Sequence, residues 1–194
     1  GNWIFEEAEQ GMTYVIRFYS PYHTFEQERV RVTIKESSAV LPTMTATSRG
    51  ISSAATPAGD LRYAATTGNF IEITGYTGTA TELVIPAVID GHIVDAINEE
   101  AFRNNTALSS VILPDSLTVI EAGAFYGCTA LSYVGFGKNL AVIGDSAFAA
   151  CTALERVTLS NAVTQLGAYC FADCTALKTV SMPDTVEKIG YRTF

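Results

Sequence analysis

Residues 108–128 read Leu-Ser-Ser-Val-Ile-Leu-Pro-Asp-Ser-Leu-Thr-Val-Ile-Glu-Ala-Gly-Ala-Phe-Tyr-Gly-Cys, and variants of this phrase return every 23 residues. Phe102, Phe125, Phe148, Phe171 and Phe194 keep that spacing. So do Cys128, Cys151 and Cys174, and the tripeptide Thr-Ala-Leu ending at Leu108, Leu131, Leu154 and Leu177. A fixed period of this length marks a stack of repeating coils. Within the phrase, Val111 and Leu113 alternate with Ser110 and Ile112, which is the period of a short strand. Pro114 ends the strand, because proline donates nothing to a ladder. Leu117, Ile120, Ala124, Phe125 and Cys128 complete the apolar set.

No unit of this size can bury its own apolar face, but neighbours stacked about 4.8 Å apart can. The predicted fold class is therefore a mainly β repeat solenoid in which each Phe lies over the next. Gly144, Gly167 and Gly190, with Asn98 in the first coil, follow the second apolar pair. These residue types tolerate positive φ, so a tight corner is expected there. Glu121 occupies the same place and is expected to need a different or strained backbone.

The string Leu-x-x-Val-x-Leu-Pro-x-x-(Leu/Val)-x-x-Ile-Gly-x-x-Ala-Phe-x-x-Cys-Thr-x-Leu resembles the BspA-like leucine-rich repeats of bacterial surface proteins, over about Leu61 to Phe194. The resemblance implies a right-handed curved superhelix of short strands, an extracellular or cell-surface location, and binding of host proteins. It implies no catalytic residue, so none is carried over. It also offers a role for the cysteine row: Asn105 stands at the equivalent place in the first coil, where other leucine-rich repeats carry an Asn ladder.

Composition narrows the function classes. A hydrophobic content of 48% fits an ordered core, and there is no run of about 18 apolar residues to span a membrane. A net charge of −8 argues against nucleic acid and anionic lipid as partners. Gly1-Asn2-Trp3, with neither an initiator Met nor a signal peptide, reads as a processed or recombinant start, and the sequence reaches Phe194 before its repeat is complete. The expectation is a native protein that continues, or an end that meets a partner. Three of the four cysteines fall at one repeat position, Cys170 replaces the small residue before Phe171, and zinc spacing is absent, so all four are read as buried free thiols.

Outside the repeats, three segments are expected. Residues 1–40 hold two alternating strands, Tyr14-Ile16-Phe18 and Val30-Val32-Ile34, joined through Ser20-Pro21-Tyr22-His23. They resemble the last two strands of an immunoglobulin-like domain, and either pack on the repeats or belong to a larger sandwich. Residues 41–60, rich in Ser, Thr and Ala, read as a linker or as a strand along the first unit. Residues 61–82 read as the cap of a solenoid running over 61–194, with turns at Thr67-Gly68-Asn69 and Gly75-Tyr76-Thr77-Gly78. Between Pro86 and Phe102 the first repeat carries five more residues than the interval from Pro114 to Phe125. Asp90-Gly91-His92 in that excess predicts a protruding hairpin.

Chemistry is sparse. His23 and His92 stand far from one another and from any ligand cluster, Glu6, Glu7 and Glu9 read as a solvated face, and no nucleophile elbow or phosphate loop occurs. No cofactor, metal or catalytic residue is assigned. The positions alternating with the buried ones are the better candidates: Ser110, Ile112, Tyr133, Gly135, Arg156, Thr158, Thr179 and Ser181. Of these, Ile112, Tyr133, Arg156, Thr158 and Thr179 are the candidate contacts for a protein or glycoprotein partner. The competing reading is a spacer that holds another domain away from the cell.

Overall fold

The computed structural model describes residues 55–194 in full and, before them, the backbones of four strands at 13–17, 23–25, 29–33 and 46–48. The chain divides into two compact units, Gly1–Ile51 and Ser52–Phe194. In the first, β1 (Thr13–Arg17) pairs antiparallel with β3 (Arg29–Thr33), with Tyr14 opposite Val32 and Ile16 opposite Val30. Strand β2 (His23–Phe25) pairs antiparallel with β4 (Ala46–Ser48). His23 is thus a strand residue, where the sequence suggested a connection. Glu6, Glu7, Glu9, Phe18, Ile34, the Ser20-Pro21-Tyr22 stretch and most of 41–54 lie outside the described residues.

The second unit is a solenoid of five coils, A to E, with no α-helix among the described residues. Period-two residues at the head of each coil form β7 (Glu82–Val84), β10 (Ser110–Ile112), β12 (Tyr133–Gly135), β14 (Arg156–Thr158) and β16 (Thr179–Ser181). In this first ladder β7, β10 and β12 pair in parallel, and so do β14 and β16. A second parallel ladder joins the end of β9 (His92–Ile97) to β11 (Val119–Ile120), β13 (Val142–Ile143), β15 (Gln165–Leu166) and β17 (Lys188–Ile189). The bends supply a third: Phe102, Phe125, Phe148 and Phe171 donate their N–H groups to Ala124, Ala147, Cys170 and Thr193 of the next coil.

Between the ladders runs the core. The phenylalanine rings stack face to face, with centroids 4.9, 5.0, 5.5 and 5.8 Å apart from Phe102 to Phe194. Phe125, Phe148 and Phe171 are fully buried. The thiols of Cys128, Cys151 and Cys174 donate to the carbonyls of Phe102, Phe125 and Phe148, one coil back. All four cysteines are free and buried. Burial leaves a thiolate without solvent, which pushes Cys128 up to about 12 and Cys174 up to about 11, and raises Cys151 and Cys170 further. Asn105, in the same row, accepts the N–H groups of Ala107 and Leu108 through its side-chain oxygen.

The opening end is closed by the chain itself. Thr56 donates its N–H to the Val84 carbonyl and accepts the Val84 N–H at its hydroxyl, covering the free edge of β7. Strands β5 (Leu61–Ala65) and β6 (Phe70–Tyr76) form an antiparallel pair, and β6 extends the second ladder beside β9. β6 runs through Gly75 and Tyr76, two residues expected to start a turn.

Three further expectations are corrected. Gly144, Gly167 and Gly190 do not adopt positive φ. The left-handed residues of each bend are instead Glu100, Gly123, Ser146, Tyr169 and Arg192, and again Asn104, Gly127, Ala150 and Asp173. The earlier glycines are there because backbones nearly touch: a Cβ on Gly167 would lie 2.4 Å from Asp145 N. Glu121 keeps the common backbone, its N–H bonded to Ile97 as Gly144 N–H is to Ile120. Its carboxylate turns back to accept the Glu99 N–H at 3.0 Å. Lastly, the insert is a hairpin of β8 (Val88–Ile89) and β9 with positive φ at Asp90 and Gly91, but its tip is tied down. The Tyr63 hydroxyl donates to the Asp90 carboxylate, and Asn69 donates to the Gly91 carbonyl.

Candidate binding face

The first ladder sets two columns of side chains on the outer surface of the strands. Glu82, Ser110 and Tyr133 stand in register, as do Val84, Ile112 and Gly135. Arg156 aligns with Thr179, and Thr158 with Ser181. The alternation explains this arrangement: Leu83, Val111, Val134 and Val157 of the same strands are buried in the core. The candidate residues therefore fall into two groups, Ile112 with Tyr133 and Arg156 with Thr158 and Thr179. No strand pairing joins β12 to β14.

Exposure sorts them further. Arg156 and Thr179 are exposed, Ile112, Tyr133 and Thr158 are half-buried, and Ser110 and Gly135, expected on the open face, are buried. Electrostatics near the face is mostly paired off. Lys138 Nζ lies 2.7 Å from Asp115 and Lys178 Nζ 3.2 Å from Glu155. The Lys138 ammonium holds the exposed Asp115 carboxyl below its ordinary range. Arg156 has no ion pair among the described residues.

A second exposed group escaped the sequence reading. On the bend face, Tyr169 and Tyr191 meet edge to face with centroids 5.6 Å apart, and the Arg192 guanidinium sits 5.3 Å over Tyr191. The available signal was positional: Tyr169 stands where other coils carry Glu100, Gly123, Ser146 and Arg192. Among the described residues no group of three His, Cys, Asp or Glu side chains is placed to hold a metal, and no helix is long and apolar enough to cross a membrane.

Comparison with known proteins gives a consistent result. Residues 81–194 match the family described as BspA type leucine rich repeat region, in six copies. A leucine-rich repeat protein of T. pallidum is similar at 32% identity and a TM-score of 0.71, over 72% of this chain and 66% of that one. A leucine-rich repeat protein of Bacteroides capillosus is 31% identical with a TM-score of 0.58, over 64% of this chain and 94% of that one. A leucine rich cell surface protein of Faecalibacterium prausnitzii is 30% identical with a TM-score of 0.55, over 74% of this chain and only 46% of that one. No curated protein matches.

Proposed function

The chain belongs to the BspA-type leucine-rich repeat family, and from that premise we propose that it is a noncatalytic binding module working at the cell surface or outside the cell. Its partner is a protein or glycoprotein, held on the outer face of the first ladder. The observation that carries this reading is the register that lays Tyr133 beside Ser110, Ile112 beside Gly135, and Arg156 beside Thr179 on one face. Tyr and Arg are the residue types that most often dominate interface energies, and parallel repeats display them on an extended surface. The cell-surface description of the Faecalibacterium protein supports the location.

The test is a binding assay of the full chain against extracellular-matrix and mucosal glycoproteins. Saturable binding that falls at least about tenfold, roughly 1.4 kcal/mol, in the double variant Tyr133→Ala/Arg156→Ala is the expected outcome. Unchanged affinity in that variant would move the site to another face. No saturable binding to any member of the panel would favour the spacer.

A further inference from the structure

The first ladder is broken at one junction. Between coils B and C, Ser132 N–H donates to the Ser109 carbonyl and Leu113 N–H to the Gly135 carbonyl. Between D and E the equivalent bonds run from Lys178 to Glu155 and from Leu159 to Ser181. Among the described residues their counterparts between C and D, Glu155 N–H to Ser132 and Phe136 N–H to Thr158, are missing. The other two ladders cross the same junction intact, with Val142 paired to Gln165 and Phe148 N–H bonded to the Cys170 carbonyl. The result is a slot in the hydrogen-bonding pattern, unbridged in front among the described residues and closed behind by two ladders. Phe136 sets this junction apart in sequence. It stands where adjacent coils carry Leu113 and Leu159, and its ring meets Phe148 edge-on at 5.7 Å and 81°, a larger wedge than leucine.

We propose that this slot receives a short extended segment of a polypeptide partner, bound main chain to main chain, with an acidic side chain beside Arg156. The inference deepens the binding-face reading and rests on it. Each edge of the slot offers N–H and C=O groups in alternation, which is the complement of an extended peptide and not of an anion alone. Paired strands stand about 4.8 Å apart, so an inserted strand needs about 9.6 Å. The Cα atoms of β12 and β14 come within 8 Å, so coil D must swing away by roughly 2 Å or more, with the two intact ladders as its hinge. Val134 and Val157 beneath the slot are buried, so inward-pointing residues of the segment must be small. Arg156 selects the outward one. It is exposed and without an ion pair among the described residues, while the neighbouring Lys138 and Lys178 already have carboxylates.

The test is an NMR titration of the full chain with the probe acetyl-Thr-Ala-Glu-Ala-Thr-amide. Saturable shifts at the amides of Phe136, Glu155 and Thr158 are expected, with none from the backbone N-methylated probe. Replacing the probe's Glu by Lys, or Arg156→Gln in the protein, should weaken binding about fivefold. Phe136→Leu removes the wedge and should abolish binding with the thermal midpoint retained. Three results would overturn the proposal. The N-methylated probe must not bind as well as the unmethylated one. N-acetylglucosamine must not produce the same shifts. In the free protein, the Phe136 and Glu155 amides must not be as protected from hydrogen exchange as those of Leu113 and Lys178. Should Phe136→Leu keep a partner affinity that Tyr133→Ala/Arg156→Ala loses, the slot fails and the face reading stands.

Discussion

Coils B and C meet along three hydrogen-bonded ladders, whereas coils C and D meet along two. Lys138 bridges to Asp115 across the first of these junctions, and Lys178 to Glu155 across the one beyond. Among the described residues no ion pair crosses from C to D. Yet the interior is continuous through all of them, with Phe148 stacked on Phe171 at 5.5 Å and the Cys174 thiol bonded to the Phe148 carbonyl at 3.1 Å. The contrast shows where cohesion resides. Apolar columns and the two rear ladders carry the stack, which leaves the front ladder free to be interrupted without dividing the core.

The strongest challenge to that account is to remove a ring at the weaker junction. Phe148 is fully buried and stacks on both Phe125 and Phe171. Phe148→Ala should cost about 3–5 kcal/mol by urea denaturation. A loss below about 1 kcal/mol would mean that the columns are not what binds coil C to coil D. Next in size comes the rear of the same junction. Gly167→Ala would place a Cβ 2.4 Å from the backbone of Gly144 and Asp145. The coils cannot separate there without losing Gly167 N–H to the Ile143 carbonyl. A cost of about 2–3 kcal/mol is expected from such overpacking. A neutral substitution would show that the rear ladder yields as easily as the front one.

These two sites also show how far the sequence could be read. The phenylalanine column was legible because one side chain recurs at one spacing, and only a shared interior asks for that. The glycines were legible as positions that reject a Cβ, but close backbone approach and positive φ leave the same residue type. At Gly144, Gly167 and Gly190 it is close backbone approach, and not positive φ, that excludes the Cβ. The true left-handed positions were hidden because they fall on Glu100, Ser146, Tyr169 and Arg192, none of which announces the conformation. The broken ladder left a trace in Phe136, a phenylalanine in a leucine position between Gly135 and Gly137. The candidate face itself has no repeating side chain, since outward positions need not match between coils. Its residues could be placed but not ranked.

A smaller effect distinguishes the junctions through their thiols. In the folded chain the Cys128 and Cys174 pKa values are raised above the ordinary 9.0, to about 12 and about 11. Above the ordinary value the unfolded thiol ionises while the folded one stays protonated, and that ionisation draws the equilibrium towards the unfolded chain. The stability held by the protonated thiols is complete below pH 9 and disappears as pH climbs through the folded values. The urea midpoint should therefore fall between about pH 9 and 12. Cys174, whose thiol spans the C–D junction and is 8% exposed, should react with a thiol reagent before the other three. If Cys151 or Cys170 reacted first, the C–D junction would not be the looser one.

The smallest effect concerns the ion pair between coils D and E. Lys178 and Glu155 approach to 3.2 Å, but their side chains are 70% and 62% exposed. Water and salt screen such a pair, and holding two long side chains together costs entropy, so Lys178→Ala should change stability by no more than about 0.5 kcal/mol. The change should vanish in about 1 M salt, where the screening length is about 3 Å. The backbone bond from Lys178 N–H to the Glu155 carbonyl survives the substitution. If the front ladder is held by main chain rather than by charge, hydrogen exchange at Lys178 and Leu159 will be unaltered in the variant. Faster exchange at both would mean that the missing ion pair, and not the Phe136 wedge, explains why β12 and β14 stand apart.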